Sequence, residues 1–258
     1  MKSVILAGGL GTRLAEETSI KPKPMVEIGG KPILNHIMKY YSKFGIKEFI
    51  ILSGYKSYVI KEYFANYFIH MSDVTFDLKE NSIEIHNSFS EPWKVTVVDT
   101  GLNTNTAGRL KRVEKYLKNE DSFHLTYGDG LSDVDINKLL NFHESEGKPV
   151  TMTVTRPTGR FGTVYFEDKT NNLKNFQEKP KENSNWINSG FFILRPNIFD
   201  FIKNDNDSFE KDVLPKLVTN SLVAGYKHYG FFQPMDTLRD KNLLDSLIKE
   251  NKAPWIEV

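Results

Sequence analysis

The chain of 258 residues contains no cysteine, which excludes a disulfide framework, a thiolate nucleophile and a zinc–cysteine centre. It also has no apolar run near the length of about 20 residues that a membrane-spanning helix needs. Neither sign of charge is in surplus: Lys plus Arg number 34 against Asp plus Glu at 33, a formal net charge of +1. That balance argues against nucleic acid or a membrane as partner and requires any basic site to be local. Met1-Lys2 leads directly into a short apolar stretch without a secretory pattern, so the cytoplasm is the expected compartment. The remainder is ordinary, with 39% hydrophobic and 26% charged residues, enough to bury a substantial core. No low-complexity linker or internal repeat divides the chain, so a single domain over 1–258 is expected.

The stretch that organises the rest is Leu6-Ala7-Gly8-Gly9-Leu10-Gly11-Thr12-Arg13, following the apolar run Val4-Ile5-Leu6. A strand that runs into clustered glycines lets successive backbone N–H groups approach phosphate oxygens without interference from side chains. Thr12 adds a hydroxyl and Arg13 a planar fork of donors suited to phosphate. Lys21 and Lys23 follow, held among Pro22 and Pro24, which stiffen the chain around them. The segment lacks the Gly-Lys-Ser/Thr ending of a Walker loop. It also departs from the dinucleotide fingerprint, because Arg13-Leu14 stands where a third glycine belongs.

Pattern then predicts an alternation of strands and helices. Pro32 stands where a helix can begin, and Ile33, Leu34, Ile37, Met38 and Tyr41 recur at helical spacing up to Gly45. A strand over 48–53 and a helix over 57–68, with Val59, Tyr63 and Tyr67 on one face, come next. This order predicts an α/β fold with a Rossmann-like open, mostly parallel or mixed sheet flanked by helices. Residues 74–76 and 83–85 read as a hairpin inserted at the sheet edge, and 94–98 as a further strand. Thr106-Ala107-Gly108-Arg109 open a helix running to about residue 117, whose N-terminus is a second edge for an anion or a base.

A strand over 123–127 runs into Gly128-Asp129-Gly130. In open α/β sheets ligands gather beyond the carboxyl ends of the strands, which places Asp129 like a metal ligand, although Asp-Gly is also ordinary turn chemistry. Asp133 and Asp135 read as turn and cap residues for the following helix. From Val150 the strands multiply, over 151–155, 162–166, 173–177 and 186–194, predicting a β-rich second half that extends the sheet antiparallel and folds over the half carrying the glycine loop. Here Glu178-Lys179-Pro180 and Asn188-Ser189-Gly190 offer a carboxylate, an ammonium and an amide, the groups that bind sugar hydroxyls and sugar phosphate. Near the end, Asp236 precedes a helix carrying Leu243, Leu244, Leu247 and Ile248. It reads either as a helix cap or, beside a triphosphate and Asp129, as a second carboxylate for a hard divalent ion.

Taken together, the glycine loop with Lys23, Gly128-Asp129, Glu178-Lys179-Pro180, Asn188 and Asp236 resemble the sugar-phosphate nucleotidylyltransferase family over nearly the whole chain. Glu16-Glu17-Thr18, the 25–34 segment, Tyr63-Phe64-Ala65-Asn66-Tyr67-Phe68 and Phe232-Gln233-Pro234-Met235-Asp236 point within it to members that use CTP and glucose 1-phosphate. The resemblance implies a nucleotide-binding lobe at about 1–135 and a sugar-phosphate lobe at about 136–258. It implies that Leu6, Ala7, Gly8, Gly9, Gly11, Thr12, Arg13, Lys23, Thr106, Arg109 and Gly128 bind the nucleotide, with Thr106 and Arg109 at the cytosine edge. Glu178, Lys179 and Asn188 would bind the sugar phosphate, Arg13, Lys23 and Asp129 would be catalytic, and Asp129 and Asp236 would hold magnesium. The expected product is CDP-glucose, for deoxysugar and cell-surface polysaccharide synthesis, from a homo-oligomeric enzyme. A thymidylyl- or uridylyltransferase and a non-catalytic nucleotide-sensing subunit are the alternatives on the same scaffold. Ala107 and Ser189 depart from the family pattern, standing where glycines are expected.

Overall fold

The structure is a computed structural model that describes residues 1–156, 163–166, 173–177 and 186–257. Its centre is a seven-stranded sheet. The strands are β1 (Ser3–Ala7), β2 (Glu48–Ser53), β3 (Lys94–Asp99), β4 (Phe123–Tyr127), β5 (Val150–Thr155), β6 (Ile187–Leu194) and β7 (Val223–His228), in the spatial order β7-β5-β6-β4-β1-β2-β3. All neighbours pair parallel except at β6, which is antiparallel to both β4 and β5. The second half therefore contributes its strands to the same sheet that carries the glycine loop. The strand β7 escapes sequence reading because Gly225 and its mixed pattern give no clear alternation. It forms by pairing along the whole of β5.

β1 is buried along its entire length, as a strand with a parallel neighbour on each side must be. Its alternate side chains serve two cores. Ile5 and Ala7 join Phe49, Ile51, Phe191 and Ile193 on one face; Val4 and Leu6 join Ile50, Leu52, Phe123, Leu125, Phe192 and Leu194 on the other. Helix α1 (Ile33–Lys43) closes the first face with Ile33, Leu34, Ile37, Met38 and Tyr41, and the chain leaves it through Gly45 at φ 82°. Helix α2 (Ser57–His70) runs two residues beyond the expected end and packs Val59 and Tyr63 against the same core, with Tyr67 buried.

Three local expectations need correction. The hairpin of Ser72–Asp77 and Ser82–Ser88 pairs only with itself, so it is a separate ribbon and β3 is the sheet's edge strand. The helix opening at Thr106 divides into α3 (Thr106–Lys111) and a turn at Glu114–Leu117, because Val113 N–H bonds Leu110 three residues back. That tightening keeps Leu110, Val113 and Leu117 all in the core. Asp133 is more than a turn residue: its Oδ1 accepts from Phe231 N–H at 2.7 Å and meets His228 Nε2 at 2.8 Å, clasping the loop that leaves β7. Asp135 is the cap of α4 (Ile136–Glu146), accepting from Lys138 N–H at 2.9 Å.

Candidate active site

The carboxyl ends of β1, β2 and β4 come level, with Ala7 opposite Ser53 and Leu6 opposite Tyr127. Beyond them opens a cavity of about 460 Å³. Its wall includes Leu6, Ala7, Gly8, Gly9, Gly11, Thr12, Arg13 and Lys23 from the loop, Thr106 and Arg109 from α3, and Gly128 and Asp129 after β4. Every residue expected at the nucleotide thus faces one space, of the size that suits a small-molecule ligand.

The glycines divide their work. A Cβ on Gly8 would stand 2.1 Å from Arg109, so this glycine makes room for a buried arginine. Gly11 is needed for its backbone, at φ 66°, and for closeness to Thr18. Of the three loop glycines, only Gly9 could take a Cβ that meets nothing within 4 Å. Among the described residues the Gly9, Leu10 and Gly11 amides have no protein acceptor, which leaves a short run of donors at the cavity wall.

Lys23, only 8% exposed, lies at the meeting point of two carboxylates. Its Nζ donates to Asp129 Oδ2 at 2.5 Å and to Asp236 Oδ1 at 2.7 Å, and Arg13 donates to Asp236 Oδ2 at 2.7 Å. Backbone pairing explains the convergence. Phe232–Pro234 forms a short antiparallel ladder with Gly130–Ser132, putting Pro234 opposite Gly130, and Met235 N–H then bonds Asp129 O at 2.8 Å. Asp236 thus reaches the rim through this small ladder and not through a strand of the main sheet.

The charges hold one another in place. Burial alone would lower the Lys23 ammonium, but Asp129 and Asp236 together raise it. Burial would likewise raise the Asp236 carboxyl, and its bonds to Lys23 and Arg13 outweigh that and bring it below the usual carboxylate range. The helix-cap reading of Asp236 fails. Thr237 is the cap of α5 (Leu238–Lys249), accepting from Asp240 N–H, while the Asp240 carboxylate returns to the Thr237 N–H at 2.9 Å. Asp236 is free of that duty and points its carboxylate at the cavity's cations.

Among the described residues no group of three or more His, Asp and Glu gathers to hold a metal. Two carboxylates already sharing one cation fit a hard divalent ion whose remaining positions come from phosphate oxygens and water.

Arg109 and Thr106 turn out to be braced by protein. Arg109 Nη1 donates to Thr100 Oγ1 and Gly101 O, each at 2.7 Å, and to Ser53 O at 3.3 Å; Nη2 donates to Leu102 O at 3.2 Å. Thr106 Oγ1 donates to Glu210 Oε2 at 2.7 Å and accepts from Phe209 N–H at 2.8 Å. Arg109 thereby fixes the 100–105 loop, whose Asn103 lines the cavity with no protein hydrogen bond among the described residues, while Thr106 ties the start of α3 to the 209–210 turn.

Sequence reading passed over Asn103, Tyr127 and Glu210. Tyr127 donates to Glu210 Oε1 at 2.5 Å and receives a long 3.4 Å contact from Asn188 Nδ2. Asn188 therefore sits beside the cavity wall, while Glu178 and Lys179 lie outside the described residues. The two departures from the family pattern face inward. Ala107 is fully buried in the core, and Ser189 donates to Thr153 O at 2.9 Å. The neighbouring Gly190 is the position that must stay bare, since a Cβ there would meet the Tyr127 ring at 2.3 Å.

Known proteins resemble this arrangement. The chain is 56% identical over 255 residues to glucose-1-phosphate cytidylyltransferase of Salmonella typhimurium, covering 99% of this chain and 98% of that one. HddC from Yersinia pseudotuberculosis, solved in complex with GMP-PN, superposes with a TM-score of 0.69 at 25% identity, covering 96% of this chain and 99% of that chain. The inositol-1-phosphate CTP transferase from T. maritima shares the fold, with a TM-score of 0.67 at 18% identity, covering 99% of this chain and 96% of that chain. The Nucleotidyl transferase family profile matches residues 2–252, and with the glycine loop, Lys23 and the paired carboxylates on one rim, the chain belongs to that family.

Proposed function

We propose that this protein transfers the cytidylyl group of CTP to glucose 1-phosphate, releasing pyrophosphate and forming CDP-glucose. The observation that carries the reading is the 56% identity, end to end, with the Salmonella typhimurium cytidylyltransferase. The set Arg13, Lys23, Asp129 and Asp236, joined in one charge cluster, favours an active enzyme over a retired nucleotide sensor.

A sugar phosphate is largely dianionic at neutral pH and attacks without a general base. The protein's task is then to position two anions and neutralise their charge. The Gly9 to Gly11 amides and Arg13 hold the triphosphate, and Lys23 faces the phosphorus under attack. Thr106, with Asn103 on the loop braced by Arg109, reads the base. Glu178, Lys179 and Asn188 hold the sugar phosphate, from the lobe at about 136–258. Asp129 and Asp236 would hold magnesium, which when bound would supply charge neutralisation at phosphate oxygens. The product would feed deoxysugar synthesis for cell-surface polysaccharide, in the cytoplasm where CTP is drawn on, and the enzyme would act as a homo-oligomer.

The test is to incubate purified protein with magnesium, glucose 1-phosphate and each nucleoside triphosphate in turn, following pyrophosphate. Release that depends on CTP is expected. Turnover of UTP or dTTP at least as fast as CTP overturns the cytidylyl reading.

A further inference from the structure

Glu210 sits on a π-helical turn, Phe209–Val213, far in sequence from every motif above. Phe209 and Val213 are fully buried and anchor the turn in the core, so the carboxylate between them has little freedom. Three hydroxyls converge on it. Tyr127 Oη donates to Oε1 at 2.5 Å; Thr106 Oγ1 and Ser208 Oγ donate to Oε2 at 2.7 and 2.9 Å. Such charge-assisted bonds are short and strong.

The proton directions in this network are set from outside. Gly190 N–H donates to Asn188 Oδ1 at 2.8 Å, which fixes which end of the amide is which and turns Nδ2 toward Tyr127 Oη. Tyr127 Oη, receiving from Asn188, must send its own proton to Glu210, whose Oε1 lies 2.5 Å away. Thr106, receiving from Phe209 N–H, likewise must donate to Glu210. Every arrow ends on one carboxylate. The two ends of the network are Thr106, on the nucleotide side of the cavity, and Asn188, on β6 beyond Tyr127.

We propose that Glu210 is a positioning residue that aligns both substrates. It fixes the nucleotide-side start of α3 through Thr106 and the sugar-side Asn188 through Tyr127. The inference rests on the reading of Thr106 and Asn188 as flanking the two substrates.

Glu210→Gln keeps the shape but leaves one oxygen where two are needed, so one branch must face an amide donor. The expected result is that KM rises about tenfold for both substrates, with kcat changed less because Glu210 touches no reacting atom. Tyr127→Phe should raise KM only for the sugar phosphate, and Thr106→Val only for the nucleotide. Adding Glu210→Gln to Asn188→Ala should produce no further rise in sugar-phosphate KM, since the branch has already been cut. Melting curves establish that each variant is folded, and if Glu210→Gln does not fold, the split between Tyr127→Phe and Thr106→Val decides. KM values within twofold of wild type, equal effects of the two branch variants on both substrates, or additivity in the double variant would each overturn the proposal. The wild type is assayed first against the panel of nucleotides and sugar phosphates. A wild type that joins another pair refutes the cytidylyl assignment alone, and the variants are then read against the pair it does join.

Discussion

Lys23 Nζ lies 2.5 Å from Asp129 and 2.7 Å from Asp236, residues 106 and 213 positions away in the chain. One ammonium thus neutralises two carboxylates that would otherwise repel each other across the rim. Replacing it with Ala leaves that repulsion in the folded protein. Lys23→Ala should therefore lower Tm, and added magnesium should restore more of the loss than it adds to wild type. In turnover the loss should fall mainly on kcat, on the order of a hundredfold or more, as for removal of a donor aimed at developing charge. Normal kcat with only weakened CTP binding would reduce Lys23 to a docking residue.

Asp236 and Thr237 are neighbours with separable duties, and the capping box shows how to tell them apart. Asp236→Asn should weaken the apparent magnesium affinity and slow turnover, read by titrating magnesium against initial rate. Thr237→Ala should cost about 1 kcal/mol of stability through the lost cap, visible as a drop of roughly 2–4 °C in Tm for a chain of this size, with the magnesium curve unmoved. An unchanged curve for Asp236→Asn would require another metal ligand.

The pH dependence of stability follows from the same cluster. The Asp236 pKa is lowered on folding, so its contribution is complete above the unfolded value of about 3.9 and is lost as pH falls through the lower folded value. The Lys23 pKa is raised, so its contribution is complete below about 10.4 and is lost as pH climbs through the higher folded value. In urea unfolding without divalent metal, the gap between wild type and Asp236→Asn should stay constant near neutrality and close below about pH 4. A gap that persists undiminished into acid would mean that Asp236 stabilises by something other than its charge.

How much of this was legible in the sequence depends on how local the signal is. β1 and α1 were plain because a buried strand between parallel neighbours and a 3.6-residue apolar stripe leave their mark on adjacent residues. The Thr237 cap is also written locally, as Thr-Leu-Arg-Asp, the capping-box spacing, directly after Asp236. That Asp129 and Asp236 share a rim is legible in part, since each follows an apolar run that reads as a strand; the ladder that joins them is not, because it pairs three-residue strands about a hundred positions apart. Glu210 left no trace. Its partners Thr106 and Tyr127 lie 104 and 83 residues away, and a glutamate in a charged stretch reads as a solvated surface residue.

The two adjacent glycines of the loop give the last prediction, because the structure assigns them opposite reasons for being glycine. A methyl on Gly8 would run into Arg109 at 2.1 Å, and Arg109 has nowhere to go, since it is buried and held by Ser53, Thr100, Gly101 and Leu102. A methyl on Gly9 meets nothing within 4 Å, yet Gly9 lines the cavity, so the added group enters the space where a triphosphate must approach the backbone. Gly8→Ala should therefore destabilise the fold by about 1–3 kcal/mol, as overpacking does. Gly9→Ala should leave Tm within a degree or so of wild type, because nothing is displaced and one glycine's worth of chain entropy is removed, while CTP affinity falls. Thermal melts and nucleotide titrations of the two variants, measured side by side, check both halves. A Gly9→Ala protein that binds CTP normally would move the triphosphate away from this loop, and a Gly8→Ala protein of full stability would show that Arg109 does not hold the position its hydrogen bonds give it.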